Sequence, residues 1–339
     1  MNSRKDELNQ WLNQTIGTKQ FTLNPASEDA SFRSYYRIVV TDTTNLLFKP
    51  QNDEHSFIVM DAPPTQEDCA PFIQVQKLLS DNHIHVPIVY AYNADKGFML
   101  LSDFGSVLYL DQLNQQSATE LYQLAIDELI KIQSIKNVDA LPKYDAKLLT
   151  LEVNLFTDWF IGKHLEYQLS HSENQIIGHT FGLLIENATS QPQVLVHRDF
   201  HSRNIMLVAE KPGIIDFQDA VMGPLSYDLA SLLKDCYVSW PRESIDLWVE
   251  YYLMQYNLNN TTTYSFDQFI RWFDLMAAQR HLKAIGIFCR LNYRDGKKKY
   301  LYDIPRTMKY LVDTCQKYPE LSGFGQLLID LQPSIAQQQ

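Results

Sequence analysis

Residues 194–228, VLVHRDFHSRNIMLVAEKPGIIDFQDAVMGPLSYD, constrain this chain more than any other stretch. An apolar run at 194–196 leads into a dense polar patch: His197, Arg198, Asp199, His201, Ser202, Arg203 and Asn204. A second apolar run at 205–208 leaves the patch. Lys211-Pro212-Gly213 then turns the chain into Ile214-Ile215, which delivers Asp216. Short strands around such loops should present Asp199, Asn204 and Asp216 close together. A carboxylate beside Arg198 stays ionised and can accept a hydroxyl proton. A carboxamide and a second carboxylate offer oxygens to a divalent cation. An isolated Asp or Asn is more often a turn residue capping backbone groups, so the joint pattern is what points to phosphoryl transfer.

The 339 residues suffice for two or three subdomains with substantial cores. The net charge of −11 disfavours nucleic acid and anionic membranes as partners, so a phosphorylated ligand needs a local basic patch. Cys69, Cys236, Cys289 and Cys315 are scattered, which argues against disulfides or a structural zinc site and suits buried thiols in a reducing compartment. No run approaches a membrane span, and the polar start MNSRKDELNQWLNQ lacks the apolar core of a signal peptide. These features lead to the expectation of a cytoplasmic protein without membrane insertion; a monomer or weak oligomer is expected, although no sequence feature fixes the oligomeric state.

Periodicity predicts a helix over 3–16, with Leu8, Trp11, Leu12 and Ile16 on one face. It predicts a turn at 24–27 and strands over 31–40, 55–60, 86–92 and 97–101, with a hairpin turn at 93–96. A helix over 65–79 is expected to start at Thr65, with Glu67 and Asp68 in its first turn. From there helices dominate: 117–135 opened by a Ser117–Glu120 capping box, then 148–169, 176–187, 225–237, 244–256, 266–291 and 303–317. The expected class is α+β and two-lobed. Residues 1–103 form a small antiparallel-β lobe with one helix, the linker lies at about 101–105, and 106–339 form a larger helical lobe holding the catalytic loop and metal segment.

His197-Arg198-Asp199 with Asn204, followed by Asp216-Phe217, resembles the protein-kinase catalytic loop and metal-binding segment. The chain is more similar to the aminoglycoside-phosphotransferase-like branch of that fold. Within it, DASFRSYYR, VMDAPPTQEDCAPF, GFMLLSDFG, VHRDFHSRNIM, IDFQDAVMGPLSYDLASLLKDCY and QRHLKAIGIFCRLNYRDGKKKYL resemble bacterial kinases of the anomeric hydroxyl of N-acetylmuramate and N-acetylglucosamine. These stretches span about residues 29–306.

The resemblance implies a protein-kinase-like fold using ATP and magnesium (Mg2+). Asp199 would orient and deprotonate the sugar hydroxyl, and Arg203 would help stabilise the transferring group. Asn204 and Asp216 would hold the metal. Asp228 would brace the catalytic-loop backbone. Leu101, Ser102 and Asp103 match the linker whose backbone meets adenine. Two departures stand out. Gln218 replaces the glycine that follows Asp-Phe in protein kinases, which suggests a less mobile metal loop. No phosphate-binding lysine stands in FIVMDAPP, where Met60 or Asp61 takes its place, and the glycine-rich loop is missing. Ser31, Phe32 and Arg33 could cover the phosphates instead, with Arg33 or Arg37 supplying the charge. Surface arginines on a strand are the plainer alternative, and Glu67 or Asp68 could be the helix carboxylate partner, with first-turn acids stabilising the helix dipole as the plainer reading.

The short path from Asp216 to Gly223-Pro224 leaves no room for a peptide-binding activation segment, so a small-molecule acceptor is expected. Glu152, Asp158 and Trp159 could hydrogen-bond and stack on a sugar ring, or simply pack amphipathic helices. His201 and Asp219 join the candidate substrate contacts. Gln279, Lys283, Gly286 and Arg290 share a helix face, where Lys283 and Arg290 could receive an acidic sugar substituent. An antibiotic kinase is one alternative, and a catalytically weak nucleotide-binding scaffold is another.

Overall fold

The structure, a computed structural model, describes residues 4–28, 32–41, 46–50, 55–136, 138–209 and 211–331. Helix α1 spans Arg4–Ile16, followed by β1 (Phe21–Glu28), β2 (Ser34–Val40), β3 (Ser56–Asp61), α2 (Ala70–Asp81), β4 (Val89–Asn93) and β5 (Phe98–Ser102). Then come α3 (Tyr109–Gln112), α4 (Ala118–Ser134), α5 (Ala146–Leu155), a π-helix (Phe156–His164) and α6 (His171–Thr189). Strands β6 (Gln193–Val196), β7 (Ile205–Val208), β8 (Lys211–Ile214) and β9 (Val221–Pro224) follow. The chain ends with α7 (Tyr227–Leu233), α8 (Arg242–Asn259), α9 (Phe266–Asp295), α10 (Ile304–Lys317) and α11 (Ser322–Asp330). It divides into two compact units: Met1–Val107 with Met206–Asp219, and Leu108–Ile205 with Ala220–Gln339. The segment bearing Asp216 therefore groups with the sheet, whereas the sequence placed it in the helical lobe.

The first unit is built on an antiparallel sheet of order β1-β2-β3-β5-β4. Strand side chains alternate between faces. Ile38, Val40, Phe57, Val59, Phe98 and Leu100 thus share one face, and Leu8, Trp11, Leu12 and Ile16 of α1 bury against it. The predicted turn at 24–27 is instead part of β1. Pro25 is tolerated because β1 is an edge strand and a bulge falls between Pro25 and Ser27. Helix α2 starts at Ala70 rather than near Thr65, with Pro71 in its first turn, where a missing N–H costs no helical bond. Glu67 and Asp68 therefore precede the helix.

The second unit is helical, and α9 packs against α5, the π-helix, α6, α7 and α10. Gly286 lets α9 approach the end of α5, because a Cβ there would lie 2.4 Å from the carbonyl carbon and oxygen of Leu155. Gly286→Ala is expected to destabilise this unit by about 1–3 kcal/mol through overpacking. An unchanged denaturation midpoint would contradict the close crossing. The expected helix over 148–169 changes to a π-helix at Phe156. The Ser117–Glu120 capping box is absent: the Ser117 hydroxyl donates to the Gln112 carbonyl (2.6 Å), and Asn114 Oδ1 accepts the amides of Gln116 and Ser117. The four cysteines are free and buried, as expected. Among the described residues, no helix is long and apolar enough to cross a membrane.

Candidate active site

In the sheet-bearing unit the site is built around Asp216, whose backbone is left-handed at φ 64°. A non-glycine residue holds that conformation only where its surroundings enforce it. Here the Ile214 amide donates to the His85 carbonyl (2.8 Å), and the His85 ring Nδ1 lies 3.1 Å from the Pro212 carbonyl. Phe217 packs on Phe72 of α2 at 4.9 Å between ring centroids. Gln218 Nε2 donates to Asp216 Oδ1 at 2.7 Å, so the glutamine that departs from the kinase pattern fixes the rotation of this carboxylate.

Arg33 lies between two acids, 3.2 Å from Glu67 and 3.7 Å from Asp216, with its side chain 11 % exposed. Glu67 also accepts the Phe32 amide (3.2 Å), so it anchors the 32–33 segment rather than a helix dipole. Arg37 is committed elsewhere. It grips Asp103 with two bonds (2.6 and 3.0 Å) and donates to the Gly105 carbonyl (2.6 Å). Of the two arginines, Arg33 is therefore the one placed beside Asp216. The Asp103 carboxylate also accepts from Ser56 Oγ and the Gly105 amide, which leaves it a structural tie in the linker. Ser102 exchanges backbone and hydroxyl bonds with Ile88, and Leu101 is buried in β5. Phe32 is 61 % exposed, Asp219 is exposed and Asp61 pairs with Arg4. Ser31 lies outside the described residues.

In the helical unit the loop after β6 is pinned at both ends. Asp228 of α7 accepts the amides of His197 (2.6 Å) and Arg198 (3.0 Å), which holds Arg198 at φ 76°. Burial pushes the Asp228 carboxyl up to about 7, against the lowering effect of those two amides. Asp235, seven residues later and just past the end of α7, accepts both the amide (3.0 Å) and the hydroxyl (2.5 Å) of Ser202. Between these braces the Asp199 carbonyl accepts from the His201 amide and from Asn204 Nδ2, both at 3.0 Å. Burial alone would raise the Asp199 pKa. Lys283, His201, Arg198 and Arg280 outweigh it and hold the carboxyl below its ordinary range.

Behind the loop sits Glu152, 5 % exposed. It pairs with Arg198 (2.5 Å) and Lys283 (3.0 Å), and it accepts from Tyr144 Oη and Gln279 Nε2. Its oxygens are thus engaged inside the protein, which favours the packing alternative for Glu152 over contact with a sugar. Asp158 is exposed on the π-helix, and Trp159 packs against the apolar core. A cavity opens beside Asp199, lined by His201, Ser231, Asp235, Cys236, Tyr237, Arg280, Lys283, Ala284, Ile287 and Phe288. Of the expected substrate contacts, His201 and Lys283 line it. Among the described residues, Glu152, Asp158, Trp159 and Arg290 do not. The Arg203 guanidinium lies over the Tyr237 ring, 3.6 Å from its centroid. Sequence reasoning missed Asp235, Tyr237 and Arg280. The seven-residue spacing from Asp228 was a signal for the first, and the three-residue spacing to Lys283 a signal for the last.

A buried carboxylate whose pKa is held low at the edge of a small cavity, and a separately fixed carboxylate beside an arginine, are groups that phosphoryl transfer can use. Residues 22–270 match the model of the phosphotransferase enzyme family. The chain belongs to that family. As a phosphotransferase it is similar to a Pseudomonas putida protein named N-acetylmuramate/N-acetylglucosamine kinase, with 42 % identity over 92 % of this chain and 88 % of that protein. A Pseudomonas aeruginosa protein of the same name is 43 % identical over 91 % of this chain and 88 % of its own. The fold of this phosphotransferase is shared with Plasmodium vivax ethanolamine kinase at a TM-score of 0.64 and 12 % identity, covering 92 % of this chain and 87 % of that one. The antiparallel-sheet unit followed by a mostly helical unit is the α+β, kinase-like architecture expected.

Proposed function

We propose that the protein transfers the γ-phosphoryl group of ATP to the anomeric hydroxyl of N-acetylmuramate, N-acetylglucosamine or both, giving the sugar 1-phosphate. The observation that carries this reading is the cavity beside Asp199. It combines a proton acceptor, two cations and the aromatic side chains Tyr237 and Phe288, a chemistry suited to a monosaccharide. The names of the relatives supply the sugar. An aminoglycoside is a polycation and would be disfavoured by Arg280, which forms no ion pair with a carboxylate among the described residues. The protein would work in the cytoplasm, in recycling of peptidoglycan sugars.

In this reading Asp199 accepts the proton of the anomeric hydroxyl, which is more acidic than an ordinary alcohol. Asp228 and Asp235 keep the loop rigid, so Asp199 needs little reorganisation as the proton moves. Asn204 and Asp216 are the proposed magnesium ligands, one carboxamide and one carboxylate, a hard-oxygen set that suits the ion. Magnesium, when bound, supplies charge neutralisation on the phosphates. Gln218 and Arg33 hold Asp216 for that task, and Arg33 stands in for the missing lysine. Residues 1–103 are the proposed nucleotide-binding lobe, with backbone around 101–105 meeting adenine. Arg203, stacked on Tyr237, is proposed to contribute charge near the transferring group.

The test is sugar-dependent ADP release with ATP and magnesium across N-acetylmuramate, N-acetylglucosamine and an aminoglycoside panel. Release with the amino sugars alone is expected, and release only with aminoglycosides would overturn the reading. Arg33→Ala is expected to raise the KM for ATP by about tenfold or more, the loss of one charge-assisted contact. An unchanged KM would remove Arg33 from the phosphate site.

A further inference from the structure

One cation in the cavity of the helical unit has no acid of its own. Arg280, Lys283, Ala284 and Ile287 recur at i, i+3, i+4 and i+7 along α9 and form one wall. Lys283 is neutralised by Glu152 at 3.0 Å and also donates to Tyr227 Oη at 3.2 Å. Arg198 shares the same glutamate at 2.5 Å. Arg280 differs. Among the described residues it forms no ion pair with a carboxylate, its guanidinium lies over the Tyr227 ring at 5.1 Å, and its Nε is buried without a hydrogen-bond partner. A second polar atom in the lining, His201 Nδ1, is likewise buried and unpartnered.

The acids of the cavity do not fill this need. Asp235 is occupied by Ser202 and by the Tyr237 amide at 3.0 Å. Asp199 acts on Arg280 without pairing with it and is reserved for the acceptor hydroxyl. Arg280 is half-buried, and beyond its contact with Tyr227 its guanidinium has no paired counter-ion among the described residues; a bound anion is the natural complement of such a group. Arginine suits a carboxylate in particular, because its planar fork matches the two oxygens.

We propose that Arg280 is a specificity-determining residue that receives a carboxylate carried on the sugar, as in the lactyl ether of N-acetylmuramate. The inference rests on the reading of the cavity as the acceptor site. It replaces Arg290, which the sequence pattern suggested. Ten residues along a helix separate the two arginines by about 15 Å, so one sugar ring beside Asp199 does not span both. N-acetylglucosamine lacks the carboxylate and leaves Arg280 unpaired. The alternative oxyanion, the transferring phosphoryl group, is separable by kinetics: its loss would lower kcat for every acceptor, while loss of a carboxylate contact acts on the acidic sugar alone.

The experiment measures kcat and KM for N-acetylmuramate, its lactyl methyl ester and N-acetylglucosamine with the wild-type protein, Arg280→Gln and Arg280→Lys. The wild type is expected to favour the acid over its ester by about tenfold or more in kcat/KM. Arg280→Gln is expected to cut the N-acetylmuramate to N-acetylglucosamine ratio by about tenfold or more, mainly through KM, with Arg280→Lys in between. A ratio in Arg280→Gln within about twofold of wild type, or an equal fall in kcat for both sugars, overturns the proposal. If Arg280→Gln does not fold, the wild-type comparison decides, since equal use of acid and ester also overturns it. A wild-type protein that phosphorylates neither sugar overturns the acceptor reading and this inference with it.

Discussion

Asp199→Asn is expected to lower kcat by about 10²–10⁴-fold, the range for loss of a positioned general base. The carboxamide keeps the size of the side chain but cannot take up the hydroxyl proton. The backbone around it is held from elsewhere, by Asp228 on His197 and Arg198 and by Asp235 on Ser202, so the loop should persist in the variant. Nucleotide binding is therefore expected to survive, as read by titration with an ATP analogue. The pH profile adds a second readout. Burial tends to raise the Asp199 pKa, but Lys283, His201, Arg198 and Arg280 prevail and lower it. A base with a lowered pKa stays ionised as the pH falls, so the acidic limb of kcat/KM should lie below the ordinary carboxylate range. Normal turnover by Asp199→Asn would remove Asp199 from the role of base.

Glu152→Gln is expected to be the most destabilising of the polar substitutions. One buried carboxylate serves both Arg198 and Lys283, and its side chain is only 6 % exposed. Removing it leaves two largely buried cations, Arg198 and Lys283, without their acid. Breaking a buried ion pair from one side costs about 3–5 kcal/mol. Denaturant unfolding should show most of that loss. Activity should fall as well, because Glu152 holds the side chain of the residue next to Asp199. A variant with wild-type stability would mean that Arg198 and Lys283 find other partners, and the charge cluster behind the loop would lose its proposed role.

The segment around Asp199 was legible because its pattern is local: the polar patch and the flanking apolar runs lie within one short stretch, whereas the turn expected at Lys211-Pro212-Gly213 is instead part of strand β8, which pairs with β7. The apolar face of α1 was legible for the same reason, since Leu8, Trp11, Leu12 and Ile16 repeat at helical spacing. What stayed hidden depends on distant partners. Arg198 lies 46 residues from Glu152, and Gln279 lies 127 residues from it, so the sequence left helix packing and sugar contact both open for Glu152 and could not name the partners that turn it inward. The face of α9 shared by Gln279, Lys283 and Gly286 was read correctly, but most of it meets α5: Gln279 and Lys283 both reach Glu152 and Gly286 abuts Leu155. The cavity wall runs beside it through Arg280, Lys283 and Ile287, with Lys283 common to both. One step along a helix is about 100° of rotation, enough to exchange a packing face for a ligand face. The start of α2 was readable from Pro71, but Thr65 with the acids after it made a competing capping signal. Pro25 looked like a strand breaker only because its edge position is a property of the sheet, not of the residues around it.

The central claim is phosphorylation of the anomeric oxygen, and the reducing end of the product tests it most directly. Transfer to that oxygen locks the ring and abolishes the reducing aldehyde, whereas transfer to any other hydroxyl leaves it intact. N-acetylglucosamine or N-acetylmuramate incubated with the protein, ATP and magnesium should lose reducing equivalents in step with ADP formed. A phosphorylated product that still reduces copper would contradict the account.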